Sequence, residues 1–203
     1  MPNVFDKYVP TRAIVYCGQL HRQFGFRLKI TKPRRTRLGD FRVLSTGHTQ
    51  ITVNADLTPE GFLITYVHEV AHAAVHAHQR KLIRPRKLAP HGPVWQNTFR
   101  ELMQPLLNET VFSEAVLTPL VAYLQKPAAT TAGCSALMNA LRLTAAEPDY
   151  RATVGDLPDG AVFGLAKRTF VKGTLRRTRF VCKEVSTGKL YLVSAQAYVS
   201  NSY

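Results

Sequence analysis

The chain has 203 residues, 45% of them hydrophobic, and carries 27 Lys and Arg against 13 Asp and Glu, a formal net charge of +14. That length supports one well-buried core with a small accessory module, no apolar run of about 18 residues is present to cross a membrane, and three scattered cysteines exclude a disulfide framework. Reduced cysteines and an opening stretch, Met1 to Lys7, without the basic and apolar regions of a signal peptide predict a cytoplasmic protein, with the nucleoid open to so basic a chain.

The charge is unevenly placed. Residues 1–55 hold ten basic and two acidic residues, residues 56–155 nine and eight, and residues 156–203 eight and three. Two basic flanks around a near-neutral centre point to an anionic partner such as DNA or RNA; solvated, solubilising faces are the alternative.

A helix is expected from Pro10-Thr11 to about Phe24, ended by Gly25, followed by strands over 26–31, 37–44 and 47–54. Their short connections predict a small three-stranded antiparallel sheet. The basic turn Lys32 to Arg37 between the first two strands, with Arg34, Arg35 and Arg37, suits phosphate contacts or a solvated sheet edge.

Asp56-Leu-Thr-Pro59 opens the next helix, with Thr58 as N-cap and Pro59 at the first helical position, and no Gly or Pro interrupts the sequence from Phe62 to Arg84. Within it stands His68-Glu69-Val70-Ala71-His72. Residues four apart on a helix share a face, so His68 and His72 can bind one metal ion through two imidazoles, and Glu69, rotated by about 100°, lies beside that ion rather than on it. A carboxylate there is placed as a general base. Three protein ligands on Zn²⁺ leave a position for water, so a third ligand is required. His76 lies about 12 Å along the axis from His68 and His78 points to another face. His91, in the loop His91-Gly-Pro-Val-Trp95 just before a new helix, is the better candidate, with Glu101 on that helix as the alternative.

His68-Glu-Val-Ala-His72 followed by His91-Gly-Pro-Val-Trp95, with Gly47-His-Thr-Gln-Ile-Thr-Val-Asn54 upstream, resembles the SprT-like metalloprotease domain, the family that includes Spartan, over about residues 10 to 110. The resemblance implies an α+β, zincin-like domain, its small antiparallel sheet packed on helices with the His68–His72 helix central. It implies one zinc ion held by His68, His72 and His91, Glu69 as base, and protease activity on proteins associated with or crosslinked to DNA. The chain departs from the family in having no two Cys pairs for a terminal zinc ribbon, so DNA binding through a ribbon does not carry over.

Between the two metal-ligand stretches, Arg80 to Pro90 carries five positive charges, among them Arg84, Arg86 and Lys87, and forms a basic rim beside the expected metal. Helices are predicted over 94–107, with Trp95 as a core anchor, and over 112–124, kinked or bounded at Pro119. The linker 127–133 leads to a short helix at 135–143, and residues 127–153 separate a domain over 1–126 from a small basic all-β module over 154–203. In the module, strands near 161–165, 169–172, 177–184 and 190–199 make a meander or small barrel. Its basic residues, including Lys167, Arg168, Lys172, Arg176, Arg177, Arg179 and Lys183, are interleaved with Phe163, Phe170, Phe180 and Tyr191. That mixture suits single-stranded nucleic acid, unless the aromatics are simply the module's core. The partners expected are therefore a protein substrate and DNA. A nucleic-acid-binding or regulatory protein with an inactive zincin domain is the competing reading, and a zinc peptidase indifferent to DNA is a third. Cys134 and Cys182 carry no assigned role, and His21, His48, His76 and His78 read as structural or surface residues.

Overall fold

A computed structural model describes residues 4–34, 37–83, 88–128, 134–145, 151–176 and 179–200. The chain is α+β and divides into two compact units, Met1–Ala129 and Thr130–Tyr203. Among the described residues, no helix is long and apolar enough to cross a membrane.

The first unit begins with a short helix, α1 (Phe5–Tyr8), and then α2 (Ile14–Phe24), which buries Cys17 and Leu20. Gly25, at φ +60°, closes α2 with its N–H on the His21 carbonyl, a left-handed position that glycine occupies at no steric cost. Strands β1 (Arg27–Thr31), β2 (Gly39–Val43) and β3 (Thr49–Asn54) form a sheet in the order β1-β3-β2. The expected all-antiparallel sheet is corrected here: β3 pairs with β2 antiparallel but with β1 parallel. The physical reason lies in β3. It is the strand whose last four residues, Ile51 to Asn54, are all buried, so it takes the centre, while the more polar β1 and β2 become edges. The chain between β1 and β2 must then pass beyond the place β3 fills. Asn54 secures that passage: its amide donates to the carbonyls of Arg34 and Arg37, and its Oδ1 accepts from Arg34 Nε at 2.8 Å.

Helix α3 (Pro59–Arg80) is 22 residues, about 33 Å at 1.5 Å per residue. Thr58 caps it, its hydroxyl accepting from the Gly61 N–H at 3.1 Å, and Pro59 occupies the first turn. Every residue from Gly61 to Ala71 is buried, so α3 is enclosed on all sides through its first three turns. Tyr66 illustrates how this is tolerated, since its ring packs on Phe5 and Phe26 while its hydroxyl donates to the Cys17 carbonyl. Helix α4 (Pro93–Met103) packs on α3 through Trp95, Phe99 and Met103, and α5 (Glu114–Gln125) runs on through Pro119, burying Val116, Leu120, Tyr123 and Leu124.

The second unit contains α6 (Ser135–Leu143) and a four-stranded antiparallel meander, β4 (Val162–Leu165), β5 (Arg168–Arg176), β6 (Arg179–Glu184) and β7 (Leu190–Ser194). Ala166 and Lys167, both at positive φ, make the two-residue turn between β4 and β5. Beyond β7 the chain curls back: the Val154 N–H donates to the Ala197 carbonyl and the Ser200 N–H to that of Gly164, which partly closes the sheet on itself. Phe163, Phe170 and Phe180 lie in this unit's core with Val154, Cys182, Val193 and Ala195. These three phenylalanines are core side chains rather than stacking platforms.

Glu184 is buried in that unit, accepting from Arg168 and from the Thr187 hydroxyl, and these bonds hold its carboxyl down to about 2. A depressed carboxyl stabilises the fold above its unfolded pKa, and that stability is lost as pH falls through the folded value. Glu184→Gln is therefore expected to lower stability near neutrality and to flatten the decline of the second unit's unfolding midpoint between about pH 5 and pH 2, as read by a pH series of thermal melts.

Candidate metal centre

Helix α3 presents His68 and His72 on one face, one turn apart, and the loop entering α4 brings His91 against them. Gly92 at the N-cap and Pro93 in the first turn of α4 set where this loop ends, so the imidazole of His91 is delivered from the residue just before the helix. His91 Nε2 lies 3.0 Å from His72 Nε2 and 3.3 Å from His68 Nε2. One ligand atom from each of the three lies within 4.8 Å of the others.

That spacing tests whether the residues fit a metal. Nitrogens about 2.0–2.1 Å from a tetrahedral zinc ion are separated by about 3.3 Å. A single ring N–H satisfies one such contact, whereas three ring nitrogens turned to one point are satisfied together by a cation. Burial lowers the pKa of all three imidazoles, His68 to about 3 and His72 to about 4, with the neighbouring imidazoles adding to the effect at His68 and His72, which favours the neutral form that binds a metal. The donor set and its geometry therefore fit one metal ion. Glu101, the alternative third ligand, is exposed and lines a separate groove with Gln104 and Val121.

Trp95 forms the floor. Its ring packs on those of His68, His72 and His91, with centroids 4.5, 5.2 and 4.7 Å away, and it stacks on Phe99. The anchor role expected of Trp95 holds, and it extends to fixing the three imidazoles. His76 lies beside this group, its ring 5.8 Å from that of Phe41, but does not join the three.

Glu69 is buried beside the imidazoles, and burial together with the Asp40 charge raises its carboxyl to about 8. The Phe41 backbone N–H, donating to it, and the charges of Arg34 and Arg37 oppose that rise. A cavity of about 360 Å³ opens over the group, lined by the three histidines, Glu69, Pro90 and residues Gly39 to Phe41 of β2.

The contribution of β2 carries no sequence signal, because Gly39-Asp40-Phe41 has neither a motif nor a periodic pattern. The structure explains its glycine. A Cβ on Gly39 would sit 2.7 Å from Glu69 Oε1 and 2.8 Å from both Glu69 Cγ and Thr65 Cγ2, so the strand passes over α3 with no room for a methyl group. Gly39→Ala is expected to cost about 1–3 kcal/mol by overpacking, measured by denaturant unfolding.

Of the basic residues considered for nucleic acid, Arg34 is half-buried and bonded to Asn54, and Arg37 pairs at 3.0 Å with Asp40, a carboxylate that also pairs with Arg42. Arg176 and Arg179 are exposed and face each other across the β5–β6 hairpin. Arg35, Arg84, Arg86, Lys87 and Arg177 lie outside the described residues. Lys172, also on a strand of the module, is buried, its Nζ donating to the Leu157 carbonyl.

Neither a family model, a curated protein nor a solved structure matches this chain.

Proposed function

We propose that the protein is a single-zinc metallopeptidase of the kind its motifs resemble, a zincin-like domain in which His68, His72 and His91 hold the ion and Glu69 is the general base. The observation that carries this reading is the convergence of three neutral imidazoles at zinc-ligand spacing, with a buried carboxyl next to them on an open cavity. When bound, the ion supplies Lewis acidity, easing the ionisation of water and polarising a carbonyl oxygen.

The chain's own groups supply the rest. A cation held by the three histidines would favour the ionised form of Glu69, and as a carboxylate Glu69 accepts the proton of the attacking water and returns it to the leaving amine, while the Phe41 N–H fixes its orientation. Strand β2 positions the substrate. It is a sheet edge, and Leu38 and Leu44 turn their backbone groups towards β3 through the Leu38 carbonyl and the Leu44 N–H. By the alternation of an antiparallel ladder, Gly39, Phe41 and Val43 turn theirs outward, the Phe41 N–H onto Glu69. An extended peptide adding to that edge would run across the mouth of the cavity.

Proteins held on DNA are the proposed substrates, supported by the +14 charge and the family resemblance. Casein and histone cleavage, with and without single-stranded DNA over a salt series, test this. DNA is expected to stimulate cleavage, and the stimulation to fall steeply as salt rises; cleavage indifferent to both leaves a general peptidase.

A further inference from the structure

The face of the second unit's sheet opposite its core is exposed and carries aliphatic and cationic side chains together. In an antiparallel sheet, residues directly opposed project to the same side and neighbours along a strand to opposite sides. Phe163, Phe170, Phe180, Cys182 and Val193 project into the core. Their neighbours Val162, Val171, Val181, Leu190 and Leu192 therefore project outward, and the pairings Val162 with Val171 and Val181 with Leu192 place them side by side. Val162 is 58% exposed, Leu190 67% and Leu192 56%. A groove of about 550 Å³ crosses this face where β5 bulges between Lys172 and Leu175. Gly173 permits it: a Cβ there would stand 2.3 Å from the Val181 carbonyl oxygen, so no other residue keeps β5 and β6 this close.

Among the described residues, the charges on the same face are all positive. Arg179 and Lys183 project outward from β6 with Val181 between them, and Arg176 stands directly opposite Arg179. Two like charges in register destabilise a hairpin unless an anion lies nearby. The unit's described carboxylates are engaged elsewhere: Asp156 with Thr153, Asn139 and Arg142, Asp159 with Lys172, and Glu184 with Arg168 and Thr187. Among the described residues, none of Arg176, Arg179 and Lys183 has a carboxylate partner.

We infer that this face is a docking surface for an acidic protein segment bearing aliphatic side chains. The aliphatic residues and groove offer contact for Leu, Ile or Val, and the three cations flank them with complementary charge. A single-stranded nucleic acid needs exposed rings for its bases. This face offers none among the described residues, because the phenylalanines lie in the core and Tyr191 is half-buried beneath the Arg168 guanidinium, 4.3 Å from its ring centroid. A second copy of a chain at +14 is opposed by self-repulsion. The inference stands independently of the metal site.

Fluorescence anisotropy with the full chain tests it, using three probes: a short synthetic peptide with Leu at helical spacing among Glu residues, the same peptide with Lys for Glu, and oligothymidylate. The acidic peptide is expected to bind and the lysine peptide not to. Affinity for the acidic peptide should fall by about tenfold or more in Leu190→Ser/Leu192→Ser and again in Arg179→Glu, while oligothymidylate affinity is unchanged by the leucine substitutions. Both leucines are more than half exposed, so the unfolding midpoint should stay at the parent value; if the double variant does not fold, Arg179→Glu alone decides. Failure of the acidic peptide to bind the parent, or binding untouched by these variants, overturns the inference. So does oligothymidylate binding that Arg179→Glu abolishes while the peptide is ignored, which makes the face a nucleic-acid surface.

Discussion

Replacing His91 with Ala is expected to lower metal affinity by more than about a hundredfold. Loss of an outer-shell partner alone typically costs tenfold to a hundredfold, and His91 is the donor whose Nε2 stands within hydrogen-bond distance of both other imidazoles. With two ligands left on α3, the remaining positions fall to water. Metal analysis of the purified protein should give one ion per parent chain and none in the variant. Unfolding reports the same event independently. A metal present at about a thousand times its Kd stabilises the folded state by about 4.1 kcal/mol, so a chelator should lower the parent's midpoint and leave that of the variant unmoved. Glu101→Ala and His78→Ala are the controls, because both side chains are exposed and neither belongs to the three-residue group. Retention of metal by His91→Ala with its loss in Glu101→Ala would reverse the ligand assignment.

The difference between His91 and Glu101 also shows how far the sequence could be read. His68, Glu69 and His72 are legible because a helix converts a spacing of four into a shared face, and nothing outside α3 is needed to see it. The helix itself was marked by Thr58, Pro59 and an uninterrupted sequence. His91 required a further step, the recognition that Gly92-Pro93 starts a helix just beyond it. The sheet was less legible, since each strand was found from its own residues but the order was not. Pairing depends on which strand can bear burial, and the competition that puts β3 between β1 and β2 is settled by Ile51 and Val53 against the α3 face, a tertiary effect. For the same reason Gly39 and Phe41 gave no sign of their place beside Glu69: their role comes from which strand becomes the edge. The basic residues were the least legible, because composition counts charge without saying where it is spent. Arg34 and Arg37 support the β1–β2 passage and Asp40, Lys172 is buried, and Arg176 and Arg179 are left facing outward.

Glu69→Gln separates the peptidase reading from a basic binding protein that merely retains a metal. General-base catalysis contributes about 10²–10⁴-fold, equivalent to roughly 3–5 kcal/mol of barrier, and turnover on casein should fall by that factor. The variant should otherwise be intact. Glutamine has nearly the same shape, its amide oxygen can still accept from the Phe41 N–H, and Gly39 leaves the site filled as before. Burying a neutral amide in place of an acid whose carboxyl is already raised to about 8 adds no charge to the interior, so the unfolding midpoint should match or exceed that of the parent. Metal content should remain at one ion, because Glu69 is not among the three converging ligands. Loss of cleavage with metal, stability and DNA affinity all retained assigns the proton transfer to Glu69. Cleavage unchanged in this variant would remove Glu69 from the chemistry and, with it, the proposed reaction. A parent that holds metal but cleaves nothing would leave the three histidines as a structural site, stapling the His91 loop and α4 to α3.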